Sequence, residues 1–258
     1  MGLIDTHCHL TYGTLAEDPD GAWQRAREAG VDAAVVVAID TATTPTVLDF
    51  VARYDELHAT VGIHPNHVAE AQPGDMALVA EFARHPKVVA IGESGLDTYW
   101  DKAPLALQRD YLERHVELAL ELDVPLVLHL RDTYPLAAEI LEPHAAAGLR
   151  GVIHCFAGAA DEADPFIAWG WPISFSGILT YPKAENVRRA AERTPLEQCL
   201  VETDAPWLTP RGVGKRDNEP AFVAATAAVL AELKGVELEL LAERTSANAR
   251  TVFGLPAR

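Results

Sequence analysis

Cysteine is scarce. Cys8, Cys155 and Cys199 are the three in 258 residues, too few and too scattered for a disulfide framework. Each falls within or beside an expected strand end, so buried free thiols are anticipated. Basic residues are also short: 21 Lys and Arg stand against 38 Asp and Glu, a formal charge of −17. Such a chain repels polyanions as a whole, which excludes tight, non-specific coating of nucleic acid. A nuclease is not excluded, because bound metal ions make a cleft locally positive. No apolar run approaches the roughly 20 residues of a bilayer span, so no membrane partner is expected. The start lacks a basic n-region and an apolar h-region, and chemistry-bearing residues begin at Asp5. A cytoplasmic location without a cleaved leader is therefore the default. Linkers, low-complexity tracts and short repeats are missing too, which points to one domain over residues 1–258.

What is present is a globular composition, 49% hydrophobic, with short β-branched runs alternating with longer amphipathic stretches. Strands are predicted near 2–6, 33–39, 59–63, 88–92, 125–129, 151–154, 172–176 and 198–202. Several are apolar throughout, such as 34–38 and 124–128, as strands covered on both faces are. Thr44-Pro45 fits a helix N-cap followed by proline, and Asp75 can cap a stretch that runs to His85 before Pro86. A helix near 104–122 places Leu105, Leu112, Val116 and Ala119 on one face. Phe222, Ala225, Val229 and Leu233 form another face, with Gly235 as its stop. Eight strands, each followed by a helix, predict an α/β fold of the (β/α)₈ TIM-barrel type, which often occupies about 250 residues. The alternative is a doubly wound open sheet. The first strand-to-helix turn has no G-x-G-x-x-G, which weakens dinucleotide binding.

The polar residues closing these strands form a series. They are His7 and His9 after the first, His64 after the third, Glu93 after the fourth, His129 after the fifth, His154 after the sixth and Asp204 after the eighth. In a barrel, the C-terminal strand ends make one mouth, so residues two hundred positions apart would meet there. His7 and His9, two apart on a strand, share a face, with Cys8 turned away. Nitrogen and oxygen donors suit zinc, manganese, iron or magnesium. Leaving His64 aside, six ligands exceed one tetrahedral ion, and two divalent ions sharing a carboxylate account for the count.

The motifs carry a family resemblance over nearly the whole chain. Asp5-Thr6-His7-Cys8-His9-Leu10, Gly62-Ile63-His64-Pro65 and Gly92-Glu93-Ser94-Gly95-Leu96-Asp97 come first. His129-Leu130-Arg131-Asp132, Ile153-His154-Cys155-Phe156-Ala157-Gly158 and Glu202-Thr203-Asp204-Ala205-Pro206 follow, with Asn218-Glu219-Pro220 and Ala247-Asn248-Ala249 near the end. Together and in order they resemble the TatD family of metal-dependent deoxyribonucleases, in the amidohydrolase superfamily of barrels. The resemblance implies that His7, His9, Glu93 and Asp204 hold one metal. Glu93 would bridge to a second held by His129 and His154. It implies hydrolysis of a phosphodiester, exonuclease-like, with DNA or an oligonucleotide as transient partner and His64 lining the substrate pocket. A structural role for His64, bonding the loop before Pro65, is the competing expectation. Thr11, Thr98 and Leu130 depart from residues common in the family (aspartate, tyrosine and serine). None is a proposed ligand, so the departures bear on substrate choice.

Other residues follow from position. Arg131 and the basic cluster Arg211, Lys215 and Arg216 are candidates to neutralise phosphate. An ordinary solvated loop is the plain account of the cluster. Tyr12, Tyr99, Trp100 and Trp207 fall in strand-to-helix loops, where aromatic rings stack on bases or simply pack the rim. Trp23, Trp169 and Trp171 are expected in the core. Asp204 is the expected general base as well as a ligand, and Glu93 the second catalytic carboxylate. Carbonyl hydrolysis, aminoacyl-tRNA included, is the rival chemistry on the same metals, and a non-catalytic metal-binding scaffold is the rival of another class. A monomer is expected.

Overall fold

In the computed structural model, which describes residues 2–214 and 217–256, eight parallel strands pair in sequence order. They are β1 (Leu3–Cys8), β2 (Val31–Val37), β3 (Leu57–Val61), β4 (Val88–Asp97), β5 (Leu126–Arg131), β6 (Gly151–Ile153), β7 (Ile173–Phe175) and β8 (Cys199–Val201). The sheet closes nearly completely, by a bridge between Cys8 and Ala205 and by bonds from Asp204 N to His7 O and His9 N to Ala205 O. This is the (β/α)₈ barrel. Around it lie α1 (Pro19–Glu28), α2 (Thr44–Val51), α3 (Asp75–Phe82), α4 (Leu105–Leu122), α5 (Tyr134–Ala146), α6 (Asp164–Ala168), α7 (Glu185–Arg193) and α8 (Val223–Lys234). A further helix, α9 (Leu238–Phe253), has no counterpart in the sequence reading.

Strand residues of one parity, such as Ala34, Val36, Leu57, Ala59, Leu126 and Leu128, pack outward with the helices. The other parity points inward. At the base, Ile4, Val35, Ala90, Val127, Val152 and Leu200 form an apolar layer against Ala249, Val252 and Phe253 of α9. That helix seals the N-terminal end of the barrel, and the inward positions above the layer carry the polar residues.

Two strands break strict alternation, both under the site. In β1 the pairing with β2 slips between Asp5 and Cys8, so one extra residue is accommodated. Ile4 then faces inward, and so do both His7 and His9, while Cys8 packs outward and donates to Val35 O. In β4 the register with β5 slips between Ile91 and Ser94. Gly92, at φ 130°, sits in the slip, where a Cβ would lie 2.5 Å from Val127 O. The slip turns Glu93 inward, and β4 then runs five residues past its expected end, so Glu93 lies inside the strand and not after it.

Several local expectations shift by a residue or two. Thr43, not Thr44, occupies the N-cap of α2, with Pro45 second in the helix. Gly74 precedes α3 and Asp75 is its first residue, accepting from Gln72 N instead of capping; the helix ends at Phe82, short of His85. On α4, Leu112, Val116 and Ala119 are buried but Leu105, the first residue of the helix, is exposed. On α8 the buried face is Val223, Thr226, Ala227 and Leu230, one residue on from the predicted stripe, whose members are half-buried. Gly235 ends α8 in the left-handed conformation, as anticipated. Cys8 and Cys199 are buried and Cys155 half-buried, all free. Among the described residues no helix is long and apolar enough to cross a membrane.

Candidate metal centre

Glu93 is the hub of the mouth. Its Oε2 lies 3.3 Å from His7 Nε2 and 3.9 Å from His9 Nε2. Its Oε1 lies 2.8 Å from His129 Nδ1, 3.0 Å from His154 Nε2 and 3.5 Å from His64 Nε2. Asp204 Oδ1 completes the first group, 3.6 Å from His9 Nε2 and 3.8 Å from His7 Nε2. The barrel thus brings together all six proposed ligands and His64.

Hydrogen bonds on the far side of three of the rings set which nitrogen is free, whereas His7 Nδ1 is buried without one. His9 Nδ1 donates to Val37 O, His154 Nδ1 to Glu202 Oε1 and His129 Nε2 to Asp97 Oδ2, at 3.2, 3.0 and 3.1 Å. Each leaves a lone pair directed at Glu93 or Asp204, the arrangement that orients metal-ligating histidines. His7 Nε2 and His9 Nε2 face each other at 3.2 Å, a contact that needs a proton or a cation between them. His7, His9 and Asp204 place ligand atoms within 4.8 Å of one another, and so do His64, Glu93 and His129. The donor set fits divalent cations.

Electrostatics point the same way. Burial pushes the Glu93 carboxyl up, but the surrounding His154, His64 and His7 and the bond from His129 outweigh it and hold the group well below its usual range. Burial opposes charge on His154, yet Glu93 and Glu202 pull it well above the ordinary imidazole value. His129 is raised against burial by Asp97 and Glu93. Asp204 is lowered against burial by its bond with His9 and by His154 and His7. A divalent cation bound between Glu93 and these rings would compete with imidazole protons, so its binding would depend on pH.

His64 differs. Its Nδ1 accepts Asn66 N at 3.0 Å, so the ring proton sits on Nε2 and points into the mouth as a donor, not a ligand lone pair. Burial lowers its pKa to about 4, so the ring is neutral at pH 7. His64 thus bonds the loop at Asn66 N and also lines the cavity over the centre. The backbone before it is set by His115, whose Nε2 accepts Ile63 N.

Three carboxylates were quoted within motifs but given no role by sequence. Glu202 orients His154. Asp97 accepts His129 and Asn66 on one oxygen, and Tyr99 N and Trp100 N on the other. Gln108 of α4 fixes the end of β4 by bonding both backbone groups of Asp97. Asp5 accepts His7 N, Thr203 N and the Thr203 hydroxyl, tying β1 to the turn that carries Asp204; burial raises its pKa to about 8. The motif spacing hinted at these residues, but only strand register shows what each one faces.

A cavity of about 400 Å³ opens over the centre, and Arg131, Leu130, Tyr12, Trp100 and Trp207 line it. The Arg131 guanidinium stands 4.6 Å over the Tyr99 ring. Arg211 is exposed, held by its backbone N to Thr180 Oγ1, and does not line the cavity; Lys215 and Arg216 lie outside the described residues. Thr11 lines a smaller adjoining cavity, and the Thr98 hydroxyl turns to the carbonyls of Arg131 and Asp132. Trp23 and Trp171 are buried, with Trp169 half-buried beside Trp171.

The chain is similar to known proteins over nearly its whole length. The family model for TatD related DNase matches residues 4–254. The uncharacterized metal-dependent hydrolase YabD of Bacillus subtilis is 34% identical over 251 residues, covering 97% of this chain and 98% of its own. A protein of Erwinia amylovora named 3'-5' ssDNA/RNA exonuclease TatD is 32% identical over 259 residues, with 98% and 100% covered. The crystal structure of YjjV, a TatD homologue from Escherichia coli, superposes with a TM-score of 0.93 at 33% identity over 98% of both chains. The chain belongs to the TatD related DNase family of metal-dependent hydrolases.

Proposed function

We propose that this protein is a binuclear phosphodiesterase that trims DNA or short oligonucleotides from an end. The observation that carries the reading is Glu93, whose two oxygens face separate groups of donors. In this reading His7, His9, Asp204 and Glu93 hold one divalent ion, and Glu93, His129 and His154 the other, with zinc, magnesium and manganese the candidates. When bound, the ions polarise a phosphoryl oxygen and lower the pKa of water from 15.7 towards about 7.

The chain's own residues supply the rest. Asp204, ionised and with its side chain 16% exposed, accepts the proton of the attacking water. His64 Nε2–H donates to a phosphoryl oxygen. Arg131, at the cavity wall, balances phosphate charge. End-trimming suits a 400 Å³ cavity, and it avoids drawing a long polyanion across a surface of net charge −17. The Erwinia relative, named for action on single-stranded DNA and RNA, supports this substrate class. The same reading takes residues 1–258 as one catalytic domain, working as a cytoplasmic monomer.

The test is an end-labelled oligonucleotide assay, DNA beside RNA, across zinc, magnesium and manganese, run beside carbonyl esters and aminoacyl-tRNA. Stepwise shortening from one end supports the proposal. Turnover of the carbonyl substrates alone would overturn it in favour of acyl hydrolysis, and no turnover with full metal loading would favour a binding scaffold.

A further inference from the structure

Most aromatic side chains are buried or half-buried, but four stand exposed on loops of the mouth: Tyr12 at 39%, Tyr99 at 55%, Trp100 at 54% and Trp207 at 45%. They form two pairs. Tyr99 and Trp100 meet edge to face at 5.0 Å. Trp207 packs against Tyr12 at 5.6 Å and, in a T-shaped arrangement, against His9 at 5.0 Å. Leaving a tryptophan half in water forfeits burial energy, so an exposed indole beside a hydrolytic centre calls for a ligand.

The two pairs differ in place. Backbone bonds fix both, but Trp207 also packs on His9 and belongs to the turn that carries Asp204. Asn218, buried, donates from Nδ2 to Trp207 O and to Thr203 O, and its own N bonds Pro206 O. Trp207 N donates to Asp204 O, so the indole and the carboxylate belong to one bonded turn. A ring held this way loses little freedom when something stacks on it. The chemistry that matches is a flat, aromatic, hydrogen-bonding-tolerant group: a nucleobase.

We infer that Trp207, braced by Tyr12, is the stacking platform for the terminal base of the strand, and that it sets the preference for an unpaired end. This rests on the phosphodiesterase reading of the same site. A base stacked on Trp207 lies next to His9 and Asp204, so the first phosphodiester reaches the metal ligands. A paired terminal base is already stacked in its duplex and would have to leave it.

The experiment crosses two changes, Trp207→Ala in the protein and an abasic terminal residue in the single strand. Wild type should lose roughly ten- to a hundred-fold in kcat/KM on the abasic strand, mostly through KM. Trp207→Ala should lose a similar factor on the normal strand and almost nothing more on the abasic one; Trp207→Phe should recover most of it. Binding is read separately, as quenching of tryptophan fluorescence by a methylphosphonate-linked oligonucleotide, absent in Trp207→Ala. Independent losses that multiply, or quenching unchanged in Trp207→Ala, would overturn the platform while leaving phosphodiester cleavage standing. Failure to cleave any oligonucleotide, with quenching intact, would overturn the catalytic reading and leave the platform standing.

Discussion

Replacing Asp204 by asparagine separates two roles that one carboxylate is proposed to fill. Asparagine keeps the shape and one oxygen but loses the charge and the capacity to accept a proton. Asp204 Oδ1 stands 3.6 Å from His9 Nε2 and 3.8 Å from His7 Nε2, so the first consequence is local. Loss of one charged donor from the group should weaken metal beside His7 and His9 by roughly ten- to a hundred-fold. Excess metal should restore that occupancy. The second consequence should not be restored. Loss of a general base slows the chemical step by about 10²–10⁴-fold, or roughly 3–5 kcal/mol of barrier. The neighbouring His64 does not substitute, because Asn66 N occupies its Nδ1 and its Nε2 carries the proton. Single-turnover cleavage at saturating metal, beside binding of an uncleavable oligonucleotide, reads the two effects separately. If excess metal brought the rate back to near wild type, Asp204 would be a ligand alone and the base would lie elsewhere.

Metal analysis should show His129→Ala and His154→Ala each depleted mainly at one position, with Glu93→Ala depleted at both; a full complement in Glu93→Ala would refute the bridge. A chelator should abolish hydrolysis while circular dichroism and the urea midpoint change little, since the core around the barrel is built without the metal ligands; global unfolding on chelation would refute this. His115 is buried with both nitrogens bonded, to Tyr111 O and from Ile63 N, and burial lowers its pKa from 6.5 to about 4. Its folded pKa lies below the unfolded one, so its contribution is complete above pH 6.5 and is lost as pH falls towards 4. The stability gap between wild type and His115→Gln should therefore narrow by up to about 3 kcal/mol between pH 7 and pH 4 in urea titrations. A gap that stays constant would show that His115 titrates normally.

The sequence alone determined the order of the elements and the cast of the site. Alternating apolar runs and amphipathic stretches are local signals, and the proposed ligands other than Glu93 sit at or beside strand ends where the chain leaves the sheet. His7, His9, Glu93, His129, His154 and Asp204 were legible for that reason, and their shared motif order identified the family. Helix faces were legible only to within a residue, because α8 buries Val223 and Ala227 where periodicity favoured Phe222 and Ala225. Only the tertiary structure decided direction. Slips of one residue in β1 and β4 turn His7 and Glu93 inward, and a slip is a property of pairing with the neighbouring strand, invisible along one chain. The same holds for Asp5, Asp97 and Glu202, whose partners Thr203, His129 and His154 lie 32 to 198 residues away and are met only once the strands have assembled into the barrel. Exposure was undecided as well: stacking surface and packed rim are equally open readings for Tyr12 and Trp207 until the fold leaves both rings partly in water, with Trp207 against His9.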